Sequence, residues 1–242
     1  LRQWDQLSST RIDYLIANSN FTAKRIWKYW KRPAQVLHPP VNVSRFEWNN
    51  PRDDFYLSVC RLVPNKRVDL LVRAFNRLQL PLIVVGDGVE KAYLKDLAGP
   101  TVQILGFQST QKIEDLMSKC RAFVYAGIED FGIAPVEAMA SGAPVIAFGK
   151  GGVLDTVKCF NSYSCESATG LLFSNQTVKS VVEAIEFFKE KQLWRDLKPE
   201  LIRDWANSFS QDSFKFRFEK AINRAWGEHI KSCDIAASDL NS

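Results

Sequence analysis

Short runs of β-branched and aromatic residues alternate along this chain with longer amphipathic stretches. The runs at 13–17 (DYLIA), 55–60 (FYLSVC), 82–86 (LIVVG), 101–105 (TVQIL), 121–126 (RAFVYA), 143–148 (APVIAF) and 170–173 predict strands. Helical periodicity covers 21–31, 67–79, 89–98, 109–119, 134–141 and 177–191. Within 67–79, Leu70, Leu71, Ala74, Phe75 and Leu78 recur at i, i+3, i+4 spacing, the signature of one buried helix face. Near-continuous apolar strands between helices predict an α/β fold with a doubly wound parallel sheet covered on both faces. The ligand crevice of such a sheet lies beyond the carboxyl ends of its strands. Each motif below follows a predicted strand.

The pattern breaks at 42–54 (NVSRFEWNNPRDD), a polar, turn-rich stretch that reads as a linker. Residues 1–41 then look like the last βαβ piece of an incomplete preceding domain, and the chain begins mid-pattern at Leu1, which suggests a missing upstream part. Residues 55–191 form the doubly wound domain. Residues 192–230 hold C-terminal helices, at about 194–207 and 212–230. Their large apolar side chains, Trp194, Trp205, Phe214, Phe218, Ile222 and Trp226, need a partner surface. Residues 231–242 read as a frayed tail.

Composition narrows the class. A content of 46% hydrophobic and 24% charged residues is that of a soluble globular protein. The net charge of +5 suits an anionic ligand or membrane surface without demanding nucleic acid. Cys60, Cys120, Cys159, Cys165 and Cys233 are odd in number and scattered, as expected for reduced thiols in a cytoplasmic protein. The two histidines, His38 and His229, join no cluster with metal-site spacing, so no metal is expected. No apolar run approaches the roughly 18 residues of a membrane span. The segment 20–32 mixes five cations with Phe21, Ile26, Trp27, Tyr29 and Trp30. One reading seats it peripherally on the inner, anionic face of a membrane; the other buries the aromatics within the protein and solvates the lysines.

The densest chemistry is EDFGIAPVE at 129–137, where two carboxylates, Glu129 and Glu137, enclose seven residues of an apolar Gly- and Pro-containing turn. Charges at the ends of a largely buried turn are costly unless each meets a partner. A hydroxyl-rich ligand is one such partner and a protein cation another. Pro135 suits a first helical position with Glu137 in the first turn, leaving free N–H groups over Phe131–Ala134 to face an anion. Arg61 and Lys66 flank a Leu-Val-Pro-Asn turn directly after strand 55–60, where they can hold a diphosphate or simply be solvated. Gly86-Asp87-Gly88 lacks the third glycine of the dinucleotide fingerprint, and Gly149-Lys150-Gly151 fails the P-loop. A nicotinamide oxidoreductase is therefore a weak reading. Gly151-Gly152 permits close backbone approach to a ligand. Gly106-Phe107 either lays amides and a ring against a base or is a plain strand exit.

Together these residues resemble glycosyltransferase family 4, the retaining GT-B enzymes, from about 11 to 190. The resemblance rests on IANS at 16–19, PPVNVSRF at 39–46, Arg61…Lys66, VVGDG at 84–88, ILGF at 104–107, EDFGIAPVEAMASGAPVIAFGKGG at 129–152 and TGLLF at 169–173. The 129–152 block is the most specific. IANSNFTAKRIWKYW, HPPVNVSRF and NQT at 175–177 look closest to a mannosyltransferase-like subgroup. The resemblance implies GT-B Rossmann-like domains and transfer of a sugar, mannose among the candidates, from a nucleotide-diphospho-sugar to a saccharide or lipid-linked hydroxyl acceptor. On the matching positions, Arg61 and Lys66 neutralise the donor diphosphate and Glu137 binds the ribose diol. Gly106 and Phe107 lie near the base, amides of Phe131, Gly132 and Ile133 reach sugar or phosphate, and Glu129 sits at the donor sugar as nucleophile or orienter. No cofactor or metal is implied. The acceptor-side domain is absent but for its last piece, and 158–168 replaces an expected short turn. A non-catalytic nucleotide-sugar-binding module is the alternative.

Overall fold

The computed structural model describes residues 2–160 and 167–239. Six parallel strands form the central sheet: β3 (Tyr56–Val59), β4 (Leu82–Val85), β5 (Val102–Gly106), β6 (Ala122–Tyr125), β7 (Val145–Phe148) and β8 (Gly170–Phe173). Their order is β5-β4-β3-β6-β7-β8. Counting from β3, this is the 3-2-1-4-5-6 order of doubly wound dinucleotide folds, and it reverses between β3 and β6. Register is continuous along β3–β4, where Tyr56 to Val59 face Leu82 to Val85. All four residues of β6 and of β7 are buried, as central strands covered on both faces require.

Helices α3 (Val68–Leu78), α4 (Lys91–Leu97), α5 (Thr110–Lys119), α6 (Ile133–Ala140) and α8 (Val178–Glu190) cover this sheet. Their starts follow local chemistry: Ser109 caps α5 by accepting from Lys112 N at 3.2 Å, and Thr177 caps α8 by accepting from Ser180 N at 3.2 Å. The core is built from Tyr56, Phe75, Phe123, Met139 and Phe188, all below 2% exposed, with small residues of α6 such as Ala138 and Ala140 allowing close packing.

A second, two-stranded parallel sheet pairs β1 (Ile16–Ala17) with β2 (Gln35–Val36), linked by α2 (Asn20–Trp30) and preceded by α1 (Arg2–Ser9). Neither β2 nor α1 is predicted by the pattern. β2 pairs in two positions only, too few for an alternating signal, and α1 offers only Trp4 and Leu7 as large apolar residues. Within 42–54, Val43 and Phe46 bury in the main core and Arg52 reaches into it, so this polar stretch is closely packed. Two further short helices, α7 (Val153–Thr156) and α9 (Leu193–Asp196), precede α10 (Pro199–Asn207) and α11 (Gln211–Asp239). The last continues well beyond residue 230, where hydrophobic periodicity fades. Residues 161–166 of the unusual 158–168 segment, and with them Cys165, lie outside the described residues; Cys60, Cys120 and Cys159 are free thiols. No described helix is long and apolar enough to cross a membrane.

Candidate functional site

A cleft of about 530 Å³ opens where the strand order reverses, between the carboxyl ends of β3 and β6. Val59, Cys60, Arg61 and Lys66 form one wall, Tyr125 and residues Glu129 to Pro135 the other, and Asn18 and Pro39 close it from the N-terminal piece. Six residues singled out from the sequence, Arg61, Lys66, Glu129, Phe131, Gly132 and Ile133, therefore meet in one cavity.

The turn after β3 places the cations. Pro64–Lys66 is a 3-10 turn that ends in Arg67 with φ +53°, and α3 starts directly after. Lys66 Nζ donates to Glu129 Oε1, and the Tyr125 hydroxyl donates to the same oxygen. The protein partner open to Glu129 in the sequence is thus one of the diphosphate candidates itself. Arg61, by contrast, is exposed and has no carboxylate partner among the described residues. Desolvation pushes the neighbouring Cys60 thiol up to about 12, which leaves it neutral and inert at physiological pH.

The opposite wall is the start of α6. Gly132, at φ +91°, adopts a left-handed cap conformation that suits glycine, and α6 begins at Ile133. Pro135 is therefore the third helical residue and Glu137 lies in the second turn, each two residues further into the helix than the sequence pattern predicts. The missing N–H of Pro135 still falls within the turn that has no internal acceptor, so it breaks no helix bond. The N–H groups of Gly132, Ile133 and Ala134 meet no acceptor among the described residues. They present the positive end of the helix dipole to the cleft. Phe131 contributes backbone only: its ring is 4% exposed and packs on His38 and Phe209 at centroid distances of 5.6 and 5.7 Å.

Gly151 and Gly152 do allow a close approach, but to protein. A Cβ on either would strike the backbone at Glu129–Phe131, and Gly152 N donates to Glu129 O at 2.8 Å. These glycines seat the 129–132 loop instead of facing a ligand.

Glu137, Gly106 and Phe107 stand apart from the cavity lining. Arg45 donates to Glu137 Oε1 at 2.6 Å, contacts Glu114 Oε1 at 3.3 Å and lies over the Phe46 ring at 4.5 Å. Burial raises the Glu137 pKa above the ordinary carboxylate value; Arg45 pulls it down and Glu114 pushes it up. Phe107 is 80% exposed beyond the end of β5, and Gly106, at φ +76°, accepts from Gly86 N at 2.9 Å. Sequence reasoning missed Tyr125, Arg45 and Asn18. Only Tyr125 carried a usable signal, as the last residue of a predicted strand just ahead of Glu129. Among the described residues no group of three or more His, Cys, Asp or Glu side chains is placed to hold a metal ion.

The fold and the cleft at its switch point define an α/β domain of the doubly wound, Rossmann-like class. The chain belongs to the family described as glycosyl transferases group 1, whose model matches residues 42–207. It is 26% identical to the alpha-1,3/1,6-mannosyltransferase ALG2 of Candida glabrata, over 88% of this chain and 59% of that protein. It is 34% identical to the GDP-mannose-dependent alpha-mannosyltransferase of Mycobacterium tuberculosis, over 48% of this chain and 30% of that protein. The chain thus spans well under two thirds of the curated relatives it matches. Its fold is similar to sucrose-phosphate synthase from Thermosynechococcus elongatus, with a TM-score of 0.77 at 20% identity over 94% of this chain and 62% of the other. It is also similar to Anabaena HepE in complex with UDP and glucose, with a TM-score of 0.73 at 21% identity over 87% and 63%. The GT-B, Rossmann-like fold class expected from the sequence stands.

Proposed function

We propose that this cleft holds a nucleotide-diphospho-sugar and that the chain is the donor-side part of a retaining hexosyltransferase. The observation that carries the reading is the convergence of Arg61, Lys66 and the open amides of Gly132, Ile133 and Ala134 on one cavity with Glu129. A diphosphate satisfies that set of donors, and a sugar on its far side meets the carboxylate. In this reading Glu137 binds the ribose diol, and Gly106 and Phe107 lie towards the base. As the glycosidic bond breaks, negative charge grows on the departing phosphate. Arg61, Lys66 and the α6 amides stabilise it without a metal or cofactor, an effect commonly worth 10²–10³ in rate per donor. Glu129 acts at the sugar, as nucleophile or by orienting it for front-face attack.

The names of the relatives support mannose, with GDP-mannose as the first donor to try, and a saccharide or lipid-linked saccharide as the hydroxyl acceptor. UDP in a structural neighbour keeps UDP-sugars in the panel. Thermal denaturation with UDP-, GDP- and ADP-sugars tests the reading: a ligand at a hundred times its Kd stabilises by about 2.7 kcal/mol. A folded protein whose melting none of them shifts would rule the reading out. Binding without transfer by the native full-length protein would leave a non-catalytic nucleotide-sugar-binding module.

A further inference from the structure

Tyr125 ends β6 inside the cleft wall and is 4% exposed. Its hydroxyl and the Lys66 ammonium both donate to Glu129 Oε1, whereas Glu129 Oε2 has no partner among the described residues. The chain is shaped around the phenol. At Gly127 an added Cβ would stand 3.0 Å from the Tyr125 hydroxyl oxygen and 3.1 Å from Cε1 and Cζ. The turn at Ala126–Gly127–Ile128 thus leaves the ring its place.

The two donors on Oε1 respond differently to an incoming anion. Lys66 is a flexible point charge and is drawn to phosphate. The phenol is neutral and held in a buried pocket, so it has no reason to leave. Burial, then the bond to Glu129, raises the Tyr125 pKa above its ordinary value, and the hydroxyl keeps the proton it donates.

On the reading of this cleft as a nucleotide-sugar site, we propose that Tyr125 is a positioning residue that keeps Glu129 aimed at the donor sugar once Lys66 has turned to the diphosphate. The free Oε2 can only accept a hydrogen bond. A donor's ionised diphosphate has no proton to offer, and the ribose and base are read at Glu137 and at Gly106–Phe107, outside this cavity lining, so the group that meets Oε2 is a hydroxyl of the transferred sugar. The Tyr125–Glu129 pair therefore reads the sugar and not the nucleotide.

Calorimetric titration of the folded chain with GDP-mannose, GDP, UDP-glucose and UDP tests this. Tyr125→Phe keeps the ring and should lose roughly 5–10-fold in affinity for the sugar nucleotide that the wild type binds, the scale of one hydrogen bond. It should lose nothing for the matching nucleotide diphosphate. In a Glu129→Gln background the same change should cost no more. Gly127→Ala, which crowds the phenol, should reproduce the selective loss with Tyr125 intact, and it decides the matter if Tyr125→Phe fails to fold. Equal losses for both ligands, as a merely structural brace would give, or no loss at all, would overturn the proposal while sparing the site. A folded wild type that binds none of the four overturns the reading of the cleft and this proposal with it.

Discussion

Glu137 holds its charge against its surroundings. Its side chain is 21% exposed, and burial outweighs the Arg45 contact, so its folded-state pKa is raised. A raised carboxylate pKa contributes stability that is fully present below the unfolded value of about 4.3 and is lost as pH rises through the folded value. At neutral pH the ionised Glu137 is therefore destabilising. Glu137→Gln should melt higher than wild type at pH 7–8, with the advantage shrinking toward pH 4, while Arg45 keeps Glu114 as a partner. The same variant should bind nucleotide more weakly, because an amide offers one acceptor oxygen where the carboxylate offers two. A melting curve that does not move with pH would remove the first half of this prediction. Arg61 and Lys66 separate in the same way. Arg61 has no carboxylate partner among the described residues, so Arg61→Ala should leave melting unchanged yet weaken nucleotide diphosphate binding by about tenfold, a charge-assisted contact's worth. Lys66→Ala should weaken binding and also lower melting, since it strips Glu129 of its cation.

Helix α6 is shaped at both ends by residues that its own sequence does not contain. At its start the loop 129–132 is seated by Gly152. At its end Arg203 donates to Ala140 O at 2.5 Å and to Phe46 O at 3.1 Å, and Arg52 donates to Ser141 O at 2.5 Å. Arg52 also reaches Met117 O at 3.0 Å and Cys120 O at 3.2 Å, so one guanidinium caps the carboxyl ends of both α5 and α6. Cations there complement the helix dipoles and fill carbonyls that would otherwise be orphaned. Burial lowers the pKa of Arg52, yet its guanidinium is held by three carbonyl contacts, to Met117, Cys120 and Ser141, while its buried Nε has no partner among the described residues. Arg52→Met should cost roughly 3 kcal/mol, measured by urea denaturation, since it leaves buried carbonyls without donors. None of this was legible in 42–54, which reads as a polar linker. Arginines that cap distant helices look like solvated ones until the elements they join are folded together. Most strands and helices of 55–191 were legible because their apolar periods are regular, whereas β2 and α7 are too short to show a period and α1 carries only Trp4 and Leu7 as large apolar residues.

At the scale of the molecule, the N-terminal piece is tied to the main domain by a few specific contacts. Asp155, its side chain 8% exposed, accepts from Asn20 N at 2.7 Å and meets His38 Nε2 at 3.1 Å. Arg224 of α11 reaches Tyr14 and Gln35, and Arg25 pairs with Asp130 at 2.5 Å. These contacts bring Asn18 and Pro39 to the cleft. The aromatics of α1, α2 and α11 are not absorbed in the same way: Trp4 is 70%, Trp27 56%, Tyr29 61% and Trp226 64% exposed. Within this chain the aromatics of 20–32 divide: Phe21 and Trp30 are partly buried, whereas Trp27 and Tyr29 are exposed. Beside them, Lys24 and Lys28 are exposed too, a composition suited to an anionic lipid surface. Each lysine near such a surface contributes about 1 kcal/mol. The double variant Lys24→Glu, Lys28→Glu should therefore reduce co-sedimentation with phosphatidylserine vesicles by more than tenfold. Binding that is equal on neutral phosphatidylcholine vesicles would rule out the electrostatic seat.

By itself the sequence determined the strand–helix alternation, the parallel sheet and the 129–137 motif, and it pointed to Arg61 and Lys66. Those are local matters: an apolar period, a turn and a cap are written in consecutive residues. The tertiary structure decided which groups share a cavity and which oxygen each donor takes. It drew Lys66 and Tyr125 onto one side of Glu129, kept Glu137 with Arg45, and turned Gly151 and Gly152 toward the protein. Such pairings join residues far apart in the chain, and their energies depend on burial and approach that no local pattern encodes.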